Sequence, residues 1–203
     1  MAENKQIPAI RFAGFTEAWE QRKLSELGST FTGLSGKTKE DFGHGNAKFI
    51  TYMNVFTNPI ASETMLESVE IDKTQHEVKY GDVLFTTSSE TPDEVWMSSI
   101  WLKNRENIYL NSFCFWYRPY VEIDPYYFAY VLRSNWVRKQ IVLLAQGISR
   151  FNISKTKMMD FKVMLPSLAE QRLIGEKFVE LDKLITLHQC KYKYILRRKL
   201  WNK

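Results

Sequence analysis

Cysteine is nearly absent from this chain. Two occur in 203 residues, Cys114 and Cys190, and neither belongs to a CxxC pair. A thiolate zinc site or a CxxC redox motif therefore cannot be built from them. Free thiols in this number fit a cytoplasmic protein. Histidine is as sparse: His44, His76 and His188 are scattered singly along the chain and make no spaced ligand set. No stretch approaches the roughly 18 apolar residues of a membrane helix. Met1 to Gln6 is polar and leads into no apolar run, so a secretory leader is not expected either. Also missing are a GxSxG elbow, a phosphate loop and the clustered carboxylates that hold magnesium in a nuclease.

What is present is ordinary for a globular protein. Apolar residues make up 44% and charged residues 25%, which argues against disorder in the body of the chain. The length suits one or two domains with a real hydrophobic core. The net charge is +5, an excess that permits nucleic-acid binding without establishing it.

Ile7 to Leu27 mixes Phe12, Phe15 and Trp19 with Glu20, Arg22 and Lys23, and reads as an ordered arm packed on the domain. Five of the nine glycines lie between Gly28 and Gly45, so a turn-rich loop is expected there. From Ala47 to Tyr117, short apolar runs separated by polar turns read as β-strands. Asp124 and Pro125 read as the N-cap and first residue of a helix running to about Gln146 and stopped by Gly147. "DFKVML" reads as a strand ended by Pro166. After it, Ser167 and Glu170 have capping-box spacing. Apolar positions then recur at alternating gaps of four and three: Ile174, Phe178, Leu181, Ile185, Tyr192 and Ile195, with His188 as a polar intruder. Such a seam, on a helix roughly 50 Å long, calls for a partner. The fold class expected is α+β: a mixed, β-rich domain with helices, followed by a long C-terminal coiled-coil-like helix.

"DPYY" (Asp124 to Tyr127) resembles the acidic–Pro–aromatic motif of adenine methyltransferases. However, the one glycine-rich candidate for S-adenosylmethionine, "DFGHG" (Asp41 to Gly45), follows polar loop and precedes no helical pattern, and a helix N-cap explains Asp124 and Pro125 better. The remaining chemistry is that of binding. Ser35, Lys37 and Lys39, then Thr87, Ser88 and Ser89, then Arg105, and finally Ser149, Arg150 and Asn152 lie in polar loops beside the β-rich body. Hydroxyls, amides and Arg or Lys are the groups that bond phosphates and base edges. These ten are the candidate DNA-binding residues; no catalytic or metal-ligating residue is expected.

Five segments, taken in order, resemble the specificity subunit of Type I restriction–modification enzymes. They are "PAIRFAGFTEAWEQRKLSEL" (Pro8 to Leu27), "KFITYMNVF" (Lys48 to Phe56), "GDVLFTTSSETPDEV" (Gly81 to Val95), "GISRFNIS" (Gly147 to Ser154) and "LPSLAEQRLIGEKFVELDKLI" (Leu165 to Ile185). The resemblance implies that residues 1–165 form a target-recognition domain and residues 166–203 its spacer helix. In that family two domains each read half of a split DNA site, and their helices pair antiparallel. Modification subunits carry S-adenosylmethionine, and motor-nuclease subunits add ATP- and magnesium-dependent cleavage; none of these cofactors is expected in this chain. The chain departs from the family pattern in having one domain and one helix, which reads as a half subunit, a truncation or a fragment of a full one, and in placing Trp96 after "PDEV" where a smaller residue is expected. A half subunit restores both domains by pairing through Ile174, Phe178, Leu181, Ile185, His188, Tyr192 and Ile195, with a second copy or with another specificity half. The competing reading is a non-reading assembly or decoy protein that uses the helix to bind modification or specificity subunits.

Overall fold

The computed structural model describes residues 7–145, 147 and 150–201, with side chains described as far as Tyr192 apart from that of Lys155. Along the chain run β1 (Glu20–Lys23), α1 (Leu24–Leu27), β2 (Gly28–Thr32), β3 (Phe42–Ile50), α2 (Tyr52–Thr57), β4 (Leu66–Val69), β5 (Val83–Thr86), β6 (Ser88–Ser89), β7 (Ser98–Ile100), β8 (Ile108–Leu110) and β9 (Cys114–Pro119). Then come α3 (Pro125–Val131), α4 (Asn135–Leu144), β10 (Phe151–Asn152), α5 (Lys155–Met159), β11 (Lys162–Leu165) and α6 (Leu168–Trp201). The fold is α+β, with a long C-terminal helix, as the sequence pattern requires.

Two sheets make the body. One has the order β2-β9-β5-β7, the other β4-β3-β8, in which β3 and β8 run parallel. The central strands of the first sheet are buried on both faces, which is why "VLF" and "CFWY" read as continuous apolar runs. The strand period of two sorts them. Val83, Phe85, Phe115 and Tyr117 face a core shared with Phe128, Leu132, Val137, Ile141 and Met158 of the helices. Leu84, Cys114 and Trp116 face the opposite way, onto Ile50, Val55, Trp101 and Ile108. Burial raises the Cys114 thiol pKa far above its ordinary value, so this cysteine is an inert core residue.

The structure corrects four local expectations. First, the glycine-rich stretch is not all loop. Gly28 opens β2 with extended backbone, and a Cβ there would lie 2.4 Å from both the Arg118 carbonyl oxygen and the Tyr117 ring. Its missing side chain thus serves close strand packing rather than a turn.

Second, the β region is interrupted by α2. Thr51 caps it by accepting the Asn54 N–H at 3.2 Å. Buried Asn54 in turn bonds both the carbonyl oxygen and the N–H of Ser62, at 2.7 and 2.8 Å. Local side-chain bonds here override the β-propensity of Tyr52 and Val55.

Third, the helix expected from Pro125 to Gln146 is two helices. Asp124 does cap α3, accepting the Tyr127 N–H at 2.8 Å. The chain then breaks at Leu132–Ser134, and Ser134 caps α4. The break lets Arg133 turn inward, where Nε donates to the Ser98 carbonyl oxygen at 2.6 Å. Its Nη2 donates to the carbonyl oxygens of Val55, Phe56 and Asn58 at 2.8–3.1 Å. These are the orphan carbonyls at the end of α2. Burial lowers the Arg133 pKa to about 10, so the group stays charged at neutral pH. Arg133→Met should leave those carbonyls unbonded and cost about 2–4 kcal/mol, read as a lower urea midpoint at unchanged slope.

Fourth, the capping box at α6 is half made. Ser167 Oγ accepts the Glu170 N–H at 3.4 Å, but the Glu170 carboxylate is taken by the N-terminal arm. Arg11 grips it bidentately at 2.9 and 2.6 Å, and Trp19 Nε1 donates at 3.1 Å. The arm and the foot of α6 are thereby fastened together, and β1 pairs with β11 beside them.

Candidate nucleic-acid interface

The polar loops converge at the end of β9 that lies opposite the Pro119–Asp124 connection. β6 and β10 pair antiparallel, with Ser88 beside Asn152 and Ser89 beside Phe151. Two of the sequence-predicted clusters, far apart in the chain, thus form one two-stranded ribbon. Thr87 anchors it to the β8–β9 turn: its N–H donates to the Phe113 carbonyl oxygen at 3.1 Å, as does its hydroxyl. The β2–β3 loop joins the same ridge. Gly33 N–H donates to the Cys114 carbonyl oxygen at 3.2 Å and Leu34 N–H to that of Leu110 at 2.8 Å. Ser35 follows, exposed, with its N–H on Gln75 Oε1 at 3.0 Å.

Asn152 and Arg150 are exposed on the ribbon. Asn152 Oδ1 accepts the Ile153 N–H at 2.7 Å, which fixes its amide plane. Ser89 is buried, contrary to its expected role. Its hydroxyl donates to Glu94 at 3.2 Å and accepts the Thr91 N–H at 3.3 Å, so it shapes the "TPDE" turn rather than facing a ligand. Arg138 of α4 clamps that turn from the other side, donating to the carbonyl oxygens of Asp93, Val95 and Trp96 at 2.6–3.0 Å. Trp96 is fully buried at φ +53°, against Phe85 and Phe115. The large residue is therefore part of the core that supports the ribbon.

The cations divide. Lys37 is held by Asp72 at 2.7 Å. That hydrogen bond raises the lysine pKa and, with help from Thr74, keeps the Asp72 carboxyl well below the usual carboxylate range. Lys37 thus ties its loop to the body, and its charge already has a partner. Lys39 is exposed at the start of a 3-10 turn capped by Thr38 and Asp41. Arg105 lies in the β7–β8 connection beside Glu63, at 3.8 Å, away from the ribbon. Ser149 lies outside the described residues.

Sequence reasoning missed two aromatic groups on the ridge. Tyr52 hydroxyl donates to the Ser88 carbonyl oxygen at 3.0 Å, and its ring stacks on Phe56. Burial raises its pKa, which keeps it a donor. Phe113 is two-thirds exposed at the tip of the β8–β9 turn, where Asn111 Oδ1 accepts its N–H at 2.8 Å. The Asn-Ser-Phe sequence at a strand junction was the signal for it.

On α6 the seam is partly covered and partly bare. Ile174 is half-buried, Phe178 stacks on Tyr130 at 5.2 Å, and Asp182 accepts the Tyr130 hydroxyl at 2.7 Å. Beyond that contact Leu181, Ile185, Leu187 and Tyr192 are exposed. His188 is exposed too, with Nδ1 3.0 Å from the Leu184 carbonyl oxygen of its own helix. The side chain of Ile195 and the basic residues 193–203 of the helix end lie outside the described side chains. Among the described residues no helix is long and apolar enough to cross a membrane.

Residues 16–197 match the family model described as the Type I restriction modification DNA specificity domain. The chain is 27% identical over 178 residues to the putative type I restriction enzyme MjaX specificity subunit of Methanocaldococcus jannaschii, a match covering 83% of this chain and 40% of that one. It is 36% identical over 74 residues to the type I restriction enzyme StySPI specificity subunit of Salmonella potsdam, covering 36% and 15%. Among solved structures, the S subunit of a Type I restriction-modification system from M. genitalium aligns with a TM-score of 0.56 at 13% identity, over 90% of this chain and 42% of that chain. A chain from a structure of type I R-M complex assembly and conformational transition aligns with a TM-score of 0.64 at 16% identity, over 96% and 46%. These likenesses show the shared fold. The chain spans less than half the length of each relative.

Proposed function

The chain belongs to the Type I restriction–modification DNA specificity family, and from that premise we propose that it is one half of a specificity subunit. Residues 1–165 act as a target-recognition domain and residues 166–203 as a spacer helix. The domain reads one half of a split site in double-stranded DNA, and the helix pairs with a second copy or another specificity half. Modification subunits dock on the paired helices and supply S-adenosylmethionine; motor-nuclease subunits supply ATP- and magnesium-dependent cleavage. The chain directs that chemistry and performs none of it. The observation that carries this reading is the ribbon that joins Ser88 to Asn152, placing hydroxyl, amide and guanidinium groups on one exposed ridge, the groups suited to phosphates and base edges.

Binding through lysine and arginine to phosphates predicts a steep loss of affinity as salt rises. On random-sequence duplex, Lys39→Ala should flatten the salt slope by about one unit. Lys37→Ala should weaken binding with little change of slope, because Asp72 already holds that charge. Arg150→Ala and Asn152→Ala should relax sequence choice at one base pair each. Fluorescence anisotropy over a salt series, and selection from a random duplex pool by the chain with its modification subunit, read these outcomes. A folded chain that captures modification subunits yet selects no sequence supports the assembly or decoy reading instead.

A further inference from the structure

The domain and its long helix meet in a joint built from three elements: α3, the N-terminal arm and α6. Along one face of α6, Gln171, Gly175, Phe178 and Asp182 meet α3 and its cap. Gln171 Oε1 accepts the Asp124 N–H at 3.0 Å, and its amide nitrogen donates to the Pro166 carbonyl oxygen at 2.9 Å. A Cβ at Gly175 would lie 2.6 Å from Asp124 Oδ1 and 2.7 Å from the Tyr127 nitrogen, so only glycine lets the helix come this close. Tyr130 closes the outer end, stacking on Phe178 at 5.2 Å and donating to Asp182 at 2.7 Å.

The arm holds a second face. Glu170 precedes Gln171 and so points about 100° away round the helix; its side chain is 1% exposed. Arg11 and Trp19 hold its carboxylate there. Arg11 Nη1 also donates to the Glu17 carbonyl oxygen at 2.6 Å, and the Trp19 ring meets Tyr127 of α3 edge-on at 6.4 Å. Supports on two different faces resist tilting in both directions. From Lys183 to Tyr192 every side chain of the helix is exposed, so the joint ends at Asp182.

An ion pair this buried is a poor source of net stability, because desolvation offsets the attraction. What its bidentate geometry does supply is direction. Direction matters because of where the joint sits. Asp124 belongs to it, and the polar ridge lies at the opposite end of β9 (Cys114–Pro119), a strand about 17 Å long. A tilt of about 10° at the joint therefore moves the ridge by about 3 Å, close to the roughly 3.4 Å step between base pairs. Two-fold symmetry applies the same tilt to both domains.

We propose that the Arg11–Glu170–Trp19 clasp and the Tyr130 contacts are positioning groups. They fix the angle between domain and helix, and thereby the one spacing at which two paired chains accept their half-sites. This rests on the self-pairing reading and adds that the joint, as well as the helix, sets the spacing.

The test compares the full chain with a triple variant, Arg11→Met, Glu170→Met and Tyr130→Phe, each with its modification subunit. The two methionines keep the buried site filled and apolar, so the fold should hold; circular dichroism and the urea midpoint check it. The duplexes carry the half-sites found by selection, with the gap between them lengthened or shortened by one or two base pairs. Wild type should prefer one gap over its neighbours by about 30-fold or more, and the variant by less than about 5-fold, with the same half-site bases chosen. If the triple variant unfolds, Tyr130→Ala replaces it; it removes only the outermost contact and should lower the preference about 3-fold. A wild-type dimer with no preferred gap overturns the role of the joint while leaving self-pairing intact. So does a folded variant that keeps the wild-type preference, or one that selects different half-site bases or none. A wild-type chain that stays monomeric at high micromolar concentration overturns both.

Discussion

Leu181→Glu combined with Ile185→Lys is expected to turn a dimer into a folded monomer. Both positions lie at the centre of the α6 seam and are about half exposed, 43% and 53%, in the single chain. Neither belongs to the core clusters of the domain, and the helix holds its domain through Gly175, Phe178 and Asp182 instead. Burying a Leu or Ile side chain contributes roughly 1.5–3 kcal/mol, and a two-fold interface counts each position twice. Replacing both with charge should therefore weaken association by at least about 100-fold, while circular dichroism and the urea midpoint stay near wild type. Sedimentation at several concentrations reads the first effect. Unfolding of the double variant would mean that the seam packs on its own domain, contrary to its exposure here. Affinity for a two-part DNA site should fall together with the dimer, since each half then binds alone.

How much of this could be read from the sequence depended on the range of the forces involved. The β-rich body, the buried strand of "YGDVLF", the cap at Asp124 and the long final helix are set by local pattern, and the structure has them where the pattern puts them; the strand expected over "NSFCFWYRP" starts only at Cys114, because Asn111–Phe113 form the turn before it. The breaks were not legible, because they depend on distant partners. The split at Leu132–Ser134 exists for Arg133 to reach α2, and Glu170 leaves its capping box because Arg11, 159 residues away, outbids the local N–H. The same holds for the ridge. Polar loops at Ser88 and Asn152 were visible as loops, but their pairing is a tertiary fact. Lys37 and Ser89 looked available in sequence because nothing there reveals Asp72 or Glu94 as their partners.

Trp96 shows the opposite relation, a residue that looks out of place in sequence and is required by the packing. Trp96→Ala should cost about 3–5 kcal/mol, the usual range for emptying a buried aromatic site. The ring packs on Phe115 at 5.8 Å between centroids, and Phe115 belongs to the strand that carries the β8–β9 turn. The backbone adds a second test. At φ +53° any side chain is strained, so alanine keeps the strain and loses the ring. Glycine loses the ring but accepts the conformation. Trp96→Gly should therefore be about 0.5–1 kcal/mol more stable than Trp96→Ala, the reverse of the order at an ordinary buried site. Urea unfolding of the two variants side by side reads the difference. An alanine variant as stable as wild type would remove Trp96 from the support of the ribbon.

The central claim, that this half subunit pairs with itself to read DNA, is tested most directly by the methylation pattern it imposes. The chain is expressed with a modification subunit in cells lacking other adenine methylation, and N6-methyladenine is mapped by single-molecule sequencing. Two identical recognition domains related by a two-fold axis predict a split motif whose halves are inverted repeats, with one fixed spacing. That motif should vanish in the Leu181→Glu, Ile185→Lys variant. Methylation at a motif with two unrelated halves, or no motif from a chain that folds and binds its modification subunit, would contradict the account.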